Sequence, residues 1–539
     1  MGIKKLFALL LTLSLLLPLP VFAVDQADLI QKIDDLSKEL DRLKQQMQEI
    51  QKQNTVKEQR INIVEKKAEQ AAGPSWLEIG GDYRFRFDSL SGKVPNYYSF
   101  QGMQAALAPA VGNTFTPAQL AAMMPGMITT GYTVKNDSLL TNRFGLNLKA
   151  KATEDVQVKA RLLMYKVWGH ETSGPITTDP AGTGYGYFAD RSFLFDGTAG
   201  HVPSDEFLRV DQAYATWSNM FGAPMWFSVG RRPSTVGAPT NIRQNSEKTG
   251  TAGVPGHMID YAFDGGTLGV APDIAMLPGA YAKLCYGKGY DSGFKTPANN
   301  TLKDVNFLGI NVVPYDTENL LIELQWNRGF DIFDNPNNMT VQLGDIDGFG
   351  LLVSGKIGSL NLFGSAVMSK THPNDNQLSM PAYYIDNTGT VQYQTIPLAG
   401  LMYDGANKES RTGSSYYVGA RYDIASSGTK IGAEYNYGSK YWITFAPASD
   451  DMWTSKLGTR GSVYEAYIIQ QLNKKPIAKR GDAYFRLGYQ YYDFQYTGSN
   501  SWLGEPKKIS DLTADPNNAQ LMTPIKNAHD IYLTFDVVF

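Results

Sequence analysis

Residues 527–539 read NAHDIYLTFDVVF, and this stretch decides the fold. Ile531, Leu533, Phe535, Val537 and Phe539 fall on one parity; Asp530, Tyr532, Thr534 and Asp536 fall on the other. Successive side chains of a strand point to opposite faces, so the segment has one apolar and one polar face. It also has the length of about 9–11 residues that a tilted strand needs to cross a bilayer. Only alternate residues are then apolar, which hides the membrane character from a hydropathy average.

The alternation recurs upstream. Residues 76–88 place Leu77, Ile79, Tyr83, Phe85 and Phe87 on one side, and Glu78, Asp82, Arg84, Arg86 and Asp88 on the other. Residues 139–151 turn Phe144, Leu146, Leu148 and Ala150 outward against Arg143, Asn147, Lys149 and Lys151. Residues 156–167 turn Val156, Val158, Ala160, Leu162 and Met164 outward against Gln157, Lys159 and Arg161. Residues 319–329 set Leu320, Ile322, Leu324 and Trp326 against Glu323, Gln325 and Asn327. The second face is ionised, and a small packed barrel has no means of burying so many charges unpaired. A wide lumen has. The parity count predicts an all-β transmembrane barrel of about sixteen antiparallel strands, with fourteen or eighteen as alternatives, and with short and long connections in alternation. Two of the strands fall at 257–264 and 267–285, joined by Gly265-Gly266. The last strand is expected to pair with the first.

Composition agrees with this class. No later segment is long and apolar enough for a membrane helix, while Gly, Tyr and Phe are abundant and the net charge is only −3. So small a charge lacks the basic stripe of a nucleic-acid binder. Cys285 is the sole cysteine, which excludes an internal disulfide, a c-type haem motif, a Cys-based zinc site and a Cys-ligated iron–sulfur cluster.

The amino-terminal region reads differently. Lys4 and Lys5 precede an apolar run, Leu6 to Leu17, and Val21-Phe22-Ala23 forms a small-x-small cleavage site, so 1–23 is a signal peptide. Residues 24–72 form a coiled coil. Leu29, Leu36, Leu43, Ile50, Lys57 and Val64 take one core position, and Ile33, Leu40, Met47, Asn54, Ile61 and Ala68 the other. A stripe this narrow implies self-association, with Asn54 setting the register. A single helix or loose hairpin is the alternative. Gly73-Pro74 ends the coil, Trp76 sits at an interfacial position, and 73–539 is the barrel.

The third long connection, 231–256, reads RRPSTVGAPTNIRQNSEKTGTAGVPG. The signal peptide, the strand count, the loop order and the terminal Phe539 together resemble the general bacterial porins, and the coil resembles a periplasmic extension seen on some of them. The resemblance implies a third loop folded into the channel as its constriction, with Arg231, Arg232, Arg243, Glu247 and Lys248 as its charged residues. Porins usually carry acidic residues there; this loop is mostly basic, which points away from cation preference. It also implies that Phe539 is a barrel assembly signal. The inward residues Arg84, Arg86, Arg143, Lys149, Lys159 and Arg161 form a charge ladder around one arc of the wall; simple solvation of the lumen by cross-strand pairs is the alternative.

Other chemistry is sparse. His170, His201, His257, His372 and His529 form no metal-binding spacing, and no nucleophile motif accompanies His529. The Asx-rich runs at 334–338 and 515–518 read as turns rather than Ca²⁺ sites, and Gly182–Tyr187 carries no phosphate-binding pattern. Thr116-Pro117-Ala118-Gln119 begins a short capped helix in the first loop. The expectation is a bacterial outer-membrane porin for passive diffusion of small hydrophilic solutes or ions, with a preference for anions. Alternatives are a sheath around a cytochrome in an electron conduit, or a tether to the cell wall or S-layer. Expected partners are outer-membrane lipid and lipopolysaccharide, further copies of the chain in a trimer, and the barrel assembly machinery. No nucleic acid, cofactor, metal or enzymatic activity is expected.

Overall fold

The computed structural model describes residues 76–169, 203, 206–296, 301–334, 340–447, 450–472, 476–478 and 481–539, preceded only by Lys38 and Arg42. The signal segment 1–23, nearly all of the coil with Asn54, His170, His201 and Gly182–Tyr187 lie outside the described residues. The chain divides into two units, Met1–Ser75 and Trp76–Phe539. In the first, Lys38 and Arg42 are both helical.

The second unit is a closed antiparallel barrel of sixteen strands. In chain order they are β1 (Leu77–Val94), β2 (Tyr132–Lys151), β3 (Val156–Val167), β4 (Arg209–Trp217), β5 (Met225–Arg231), β6 (Asp264–Val270), β7 (Tyr281–Tyr290) and β8 (Val305–Asp316), followed by β9 (Leu320–Phe333), β10 (Gln342–Ile357), β11 (Leu360–Pro373), β12 (Thr412–Ile424), β13 (Thr429–Gly438), β14 (Gly461–Gln471), β15 (Asp482–Phe494) and β16 (Asn527–Val538). Each pairs with its sequence neighbours, and β16 pairs with β1 from Asp82↔Val538 to Lys93↔Asn527, which removes the last free edge. The connections 152–155, 218–224, 271–280, 317–319, 358–359, 425–428 and 472–481 lie at one end, the turn end. The longer connections 95–131, 168–208, 232–263, 291–304, 334–341, 374–411, 439–460 and 495–526 join strands at the other end and are numbered L1 to L8.

The faces follow the alternation. On β16, Ile531 and Leu533 are exposed outward, while Asp530, Tyr532 and Thr534 are buried inward. Towards the loop end the inward parity turns apolar: Leu90 and Val94 of β1 and Leu139 of β2 pack on Met452 and Trp453 of L7. Polar-in alternation fades there, which is why β1 and β2 extend beyond their predicted ends to Val94 and Tyr132.

The predicted strands 257–264 and 267–285 are corrected. Gly265-Gly266 is not a turn but lies inside β6, and residues 257–263 belong to L3. A Cβ on Gly265 would stand 2.0 Å from the carbonyl oxygen of Tyr286, so this glycine permits close strand approach. Pro272 and Pro278 fall in the turn 271–280, where no ladder hydrogen bond is lost.

The loops roof the mouth. L1 carries α1 (Phe100–Leu107) and α2 (Pro117–Met123); Thr116 and Gln119 form the expected capping box on α2. L6 contributes a hairpin, Leu378–Ile385 with Val391–Ala399, that the alternation did not single out. Gln104 of α1 exchanges two hydrogen bonds with the Tyr383 backbone, at 3.0 and 2.6 Å, and Leu107 packs on Val391. L1 and L6 leave well-separated parts of the wall, so this contact bridges the opening.

At the seam, Phe539 exchanges two backbone hydrogen bonds with Gly81, at 2.8 and 2.9 Å. A Cβ on Gly81 would stand 2.6 Å from both the Phe539 ring and the Gly145 carbonyl oxygen. Gly81→Leu is therefore expected to destabilise the closing seam by about 1–3 kcal/mol. The check is the temperature at which the folded band converts to the unfolded band on SDS gels; an unchanged midpoint would contradict this packing.

Candidate functional site

The ionised inner face and two loops folded against it make the site. L3, residues 232–263, descends the lumen towards the turn end. Its short helix α3 (Thr240–Gln244) is held from the far wall: Arg421 of β12 donates to the Ile242 carbonyl at 2.5 Å, Arg486 of β15 to the Arg243 carbonyl at 3.0 Å, and Tyr484 to the Gln244 carbonyl at 2.9 Å. Beyond it, Lys248 pairs with Asp316 at 2.5 Å, beside the turn after β8. L3 therefore crosses the barrel from β5 and reaches its opposite wall.

L7, residues 439–460, enters beside L3. Asp450 bonds the Arg84 guanidinium, lies 3.8 Å from Arg143, and gives its backbone carbonyl to Arg86 at 3.0 Å. Asp451 binds Arg243 of L3 at 2.6 Å. Lys456 lies between Glu434, its direct partner, and Glu465 at 2.5 Å, and Arg243 reaches the same Glu465 at 3.1 Å. Burial alone would raise the Asp450 carboxyl, but Arg84, Arg143, Arg86 and Arg486 together outweigh it and hold it below the ordinary carboxylate range. An apolar core seals the two loops above: Val254, Met258 and Phe263 of L3 meet Trp442, Ile443 and Phe445 of L7 and Trp502 of L8.

His257 joins L3 to this core. It is fully buried, with one ring nitrogen 2.9 Å from the Ser365 hydroxyl and the other 2.8 Å from that of Ser415. Burial lowers its pKa to about 3, so the ring is neutral.

The ladder of predicted cations is distributed among carboxylates. Arg84 also binds Asp536 at 2.5 Å; Arg86 binds Asp88 at 2.7 Å and Asp530 at 3.2 Å. Arg161 binds Asp82 at 2.6 Å and Asp211 at 3.5 Å, Arg143 is 4.0 Å from Asp82, and Lys149 binds Glu78 at 3.2 Å. Lys159 lines an open cavity.

The five loop-3 residues separate. Arg231 ends β5 on the outward parity and pairs across the sheet with Asp264 at 3.0 Å, away from the lumen. Arg243 is buried in the L3–L7 contact, and Glu247 is exposed near Lys248 at the turn end. Arg232 stands alone in character: it is 8% exposed, bonds the Thr267 hydroxyl, and has no carboxylate in salt-bridge reach among the described residues. It borders a cavity of about 280 Å³ between L3 and the wall from β3 to β5.

Sequence reasoning did not single out L7. Its only signal was Asp450-Asp451 between Trp442 and Trp453 in a long loop. His529 lies on the outer face against Tyr489, 2.7 Å away, and His372 meets Asp347 at 2.8 Å. Asp515 accepts the Asn517 amide as a turn closure; of the run 334–338 only Asp334 lies within the described residues, and it accepts the Thr340 and Val341 amides. Among the described residues, no three His, Cys, Asp or Glu side chains are grouped for a metal.

Asp450→Asn is expected to release L7 by removing the carboxylate charge that Arg84 and Arg143 share. Breaking a buried pair costs about 3–5 kcal/mol. The readout is proteolysis in L7 of the folded, detergent-solubilised protein: faster cleavage than wild type is expected, and equal rates would remove Asp450 as the anchor.

Comparison with known proteins places the chain as follows. The family model described as "Protein of unknown function (DUF3373)" matches residues 133–539. No curated protein matches. Among solved structures, the anion-selective porin from Comamonas acidovorans is 11% identical with a TM-score of 0.40, covering 86% of this chain and 99% of that one. The trimer form of OmpT, an outer membrane protein of Vibrio cholerae, is 10% identical with a TM-score of 0.37 over 86% and 99% of the two chains. OmpF of Salmonella typhi in complex with daunomycin is 10% identical, with a TM-score of 0.37 over 85% and 97%.

Proposed function

The chain belongs to the DUF3373 family, and we propose from its geometry that it is an outer-membrane porin for passive diffusion of small hydrophilic solutes or ions. One observation carries the reading. The closed barrel presents apolar side chains outward and ionised ones inward, and L3, folded inside it, borders a cavity of about 280 Å³. The outward band suits lipid and lipopolysaccharide. The cavity suits a hydrated ion or a small polar solute.

Anion preference is the finer reading. It rests on Arg232, which borders the cavity with no carboxylate in salt-bridge reach among the described residues, rather than on the ladder as a whole. The paired arginines Arg84, Arg86 and Arg161 contribute little net charge to a passing ion. Lys149 and Arg143 also sit beside carboxylates, and Arg243 is committed to holding L3 on L7. Of the alternatives, a sheath around a cytochrome needs a lumen clear of its own loops; L3 and L7 occupy this one. We further propose that residues 24–72 self-associate as a periplasmic coil, with Asn54 fixing register, that the protein is a trimer, and that Phe539 is read by the barrel assembly machinery.

In planar bilayers the purified protein is expected to give stepwise conductance that favours chloride over potassium. Absence of conductance, with a cytochrome co-purifying, would overturn the channel. Deleting residues 25–70 is expected to weaken the oligomer and leave the folded barrel. Equally SDS-resistant oligomers would remove the coil from assembly.

His257 gives a pH dependence whose sign is fixed. Its folded pKa, about 3, lies below the unfolded value of about 6.5. The stabilisation is therefore complete above about pH 6.5 and is lost as pH falls towards 3, reaching a loss of about 2 kcal/mol at pH 5. The L3 contact is expected to loosen over pH 6.5–5 in wild type, with larger or noisier currents. His257→Asn should flatten that window; identical pH profiles would exclude His257 as the cause.

A further inference from the structure

The lumen is divided by charge. Around β1, β2 and β14, the buried cations Arg84, Arg86, Arg243 and Lys456 are matched by carboxylates on the wall or on L7, and Arg460 is satisfied by four backbone carbonyls. At the start of L3, beside β5 and β6, Arg232 is matched by neither. Arg232 has a hydroxyl partner in Thr267, and its Nε, also buried, has no hydrogen-bond partner. Lys283 of β7, 3% exposed, donates to the carbonyls of Thr251, at 2.9 Å, and of Gly253 in L3, without a carboxylate in salt-bridge reach among the described residues.

A buried cation without counter-charge is costly, because burial penalises its ionised form; the Glu323 carboxylate of β9 offsets Lys283, whereas Arg232 has no carboxylate near it among the described residues. The Arg232 guanidinium responds with a lowered pKa, for which burial is the leading cause. Yet an arginine stays charged in a protein. A mobile anion is the remaining source of compensation, and there is room for one. Arg232 borders the cavity of about 280 Å³, as do Lys159 from β3 and the hydroxyls of Thr216 and Ser228. No Asp or Glu lines it among the described residues. Its rim includes Asn219, Pro224 and Ala271, residues of the turn-end connections, so it lies towards the side from which β1 starts.

We infer that Arg232 and Lys159 form a binding site for a single small oxyanion, of phosphate or short-carboxylate kind, in the turn-end cavity beside L3. The guanidinium fork matches two oxygens of such an ion, and the ammonium of Lys159 supplies a second charge. Thr216 and Ser228, which already share a 3.1 Å hydrogen bond, supply hydroxyl donors. The inference deepens the porin reading by naming a permeant class that pauses in the passage; for that naming it rests on the porin reading, while the binding itself does not. It also predicts saturation, which free diffusion through a neutral pore lacks.

The test separates the two. Equilibrium dialysis of the full chain in detergent with labelled inorganic phosphate is expected to show one saturable site per chain, with acetate competing and potassium inert. Arg232→Gln should raise the phosphate dissociation constant at least tenfold, Lys159→Gln at least threefold, and Arg232→Lys less than Arg232→Gln. Lys303→Gln, whose partner Asp331 lies at the loop end, should leave it unchanged. If Arg232→Gln does not give the folded band on SDS gels, Lys159→Gln decides. Absence of saturable binding in wild type, or equal binding in the variants, overturns the site. Bilayer recordings on the same preparations report separately: conductance without phosphate binding would sink the site and spare the porin, and binding without conductance would do the reverse.

Discussion

The need to match charge inside a closed barrel governs this structure. The apolar parity of each strand must face outward, so the polar parity is forced inward whether or not partners exist there. Ionised groups withdrawn from water are tolerated only when paired or hydrogen-bonded. Arg84 and Arg86 on β1 meet Asp536 and Asp530 of β16 across the seam, so the pairing that closes the barrel also neutralises its wall. Where strands alone do not balance, L7 supplies Asp450 and Asp451.

This makes the two inward loops parts of the wall's electrostatics rather than appendages. Asp451 and Glu465 converge on Arg243, Glu434 and Glu465 on Lys456, and the five side chains tie L3, L7, β13 and β14 into one cluster. Above it the chemistry changes, and aromatic contacts take over: Phe307 meets Phe445 with ring centres 4.9 Å apart, and His257 lies 5.6 Å from Trp442. The lumen is thus ionic at mid-depth and apolar at the mouth. The loops L3 and L7 fill part of the barrel interior.

Legibility in the sequence tracks the same division. The terminal strand, β1 to β3 and β9 were readable because each has one face in lipid and one in an ionic lumen, which maximises the alternation. The loop ends of β1 and β2 were not, because Leu90, Val94 and Leu139 face a packed interior and the inward parity becomes apolar. Gly265-Gly266 misled as a turn, since glycine serves close strand approach as readily as reversal. L3 was placed by position, and of its charges only the structure tells Arg231, facing outward, from Arg232, facing the cavity. L7 was illegible for a different reason: Asp450 lies 366 residues from Arg84, and no local pattern records a pair so distant.

The distribution of counter-charge then argues for an asymmetric passage. Rings of charge act on a passing ion only through the charge left over after pairing, and screened pairs fall off within about 8–10 Å at physiological salt. By that measure the numerous arginines of β1 to β3 are mainly scaffolding, and one buried arginine at the start of L3 outweighs them. Its effect is strengthened by position: it stands where L3 leaves the wall, against strands β5 and β6, which are among the shortest in the barrel. Under the porin reading, selectivity therefore resides less in how many cations line the lumen than in Arg232, which has no carboxylate in salt-bridge reach among the described residues.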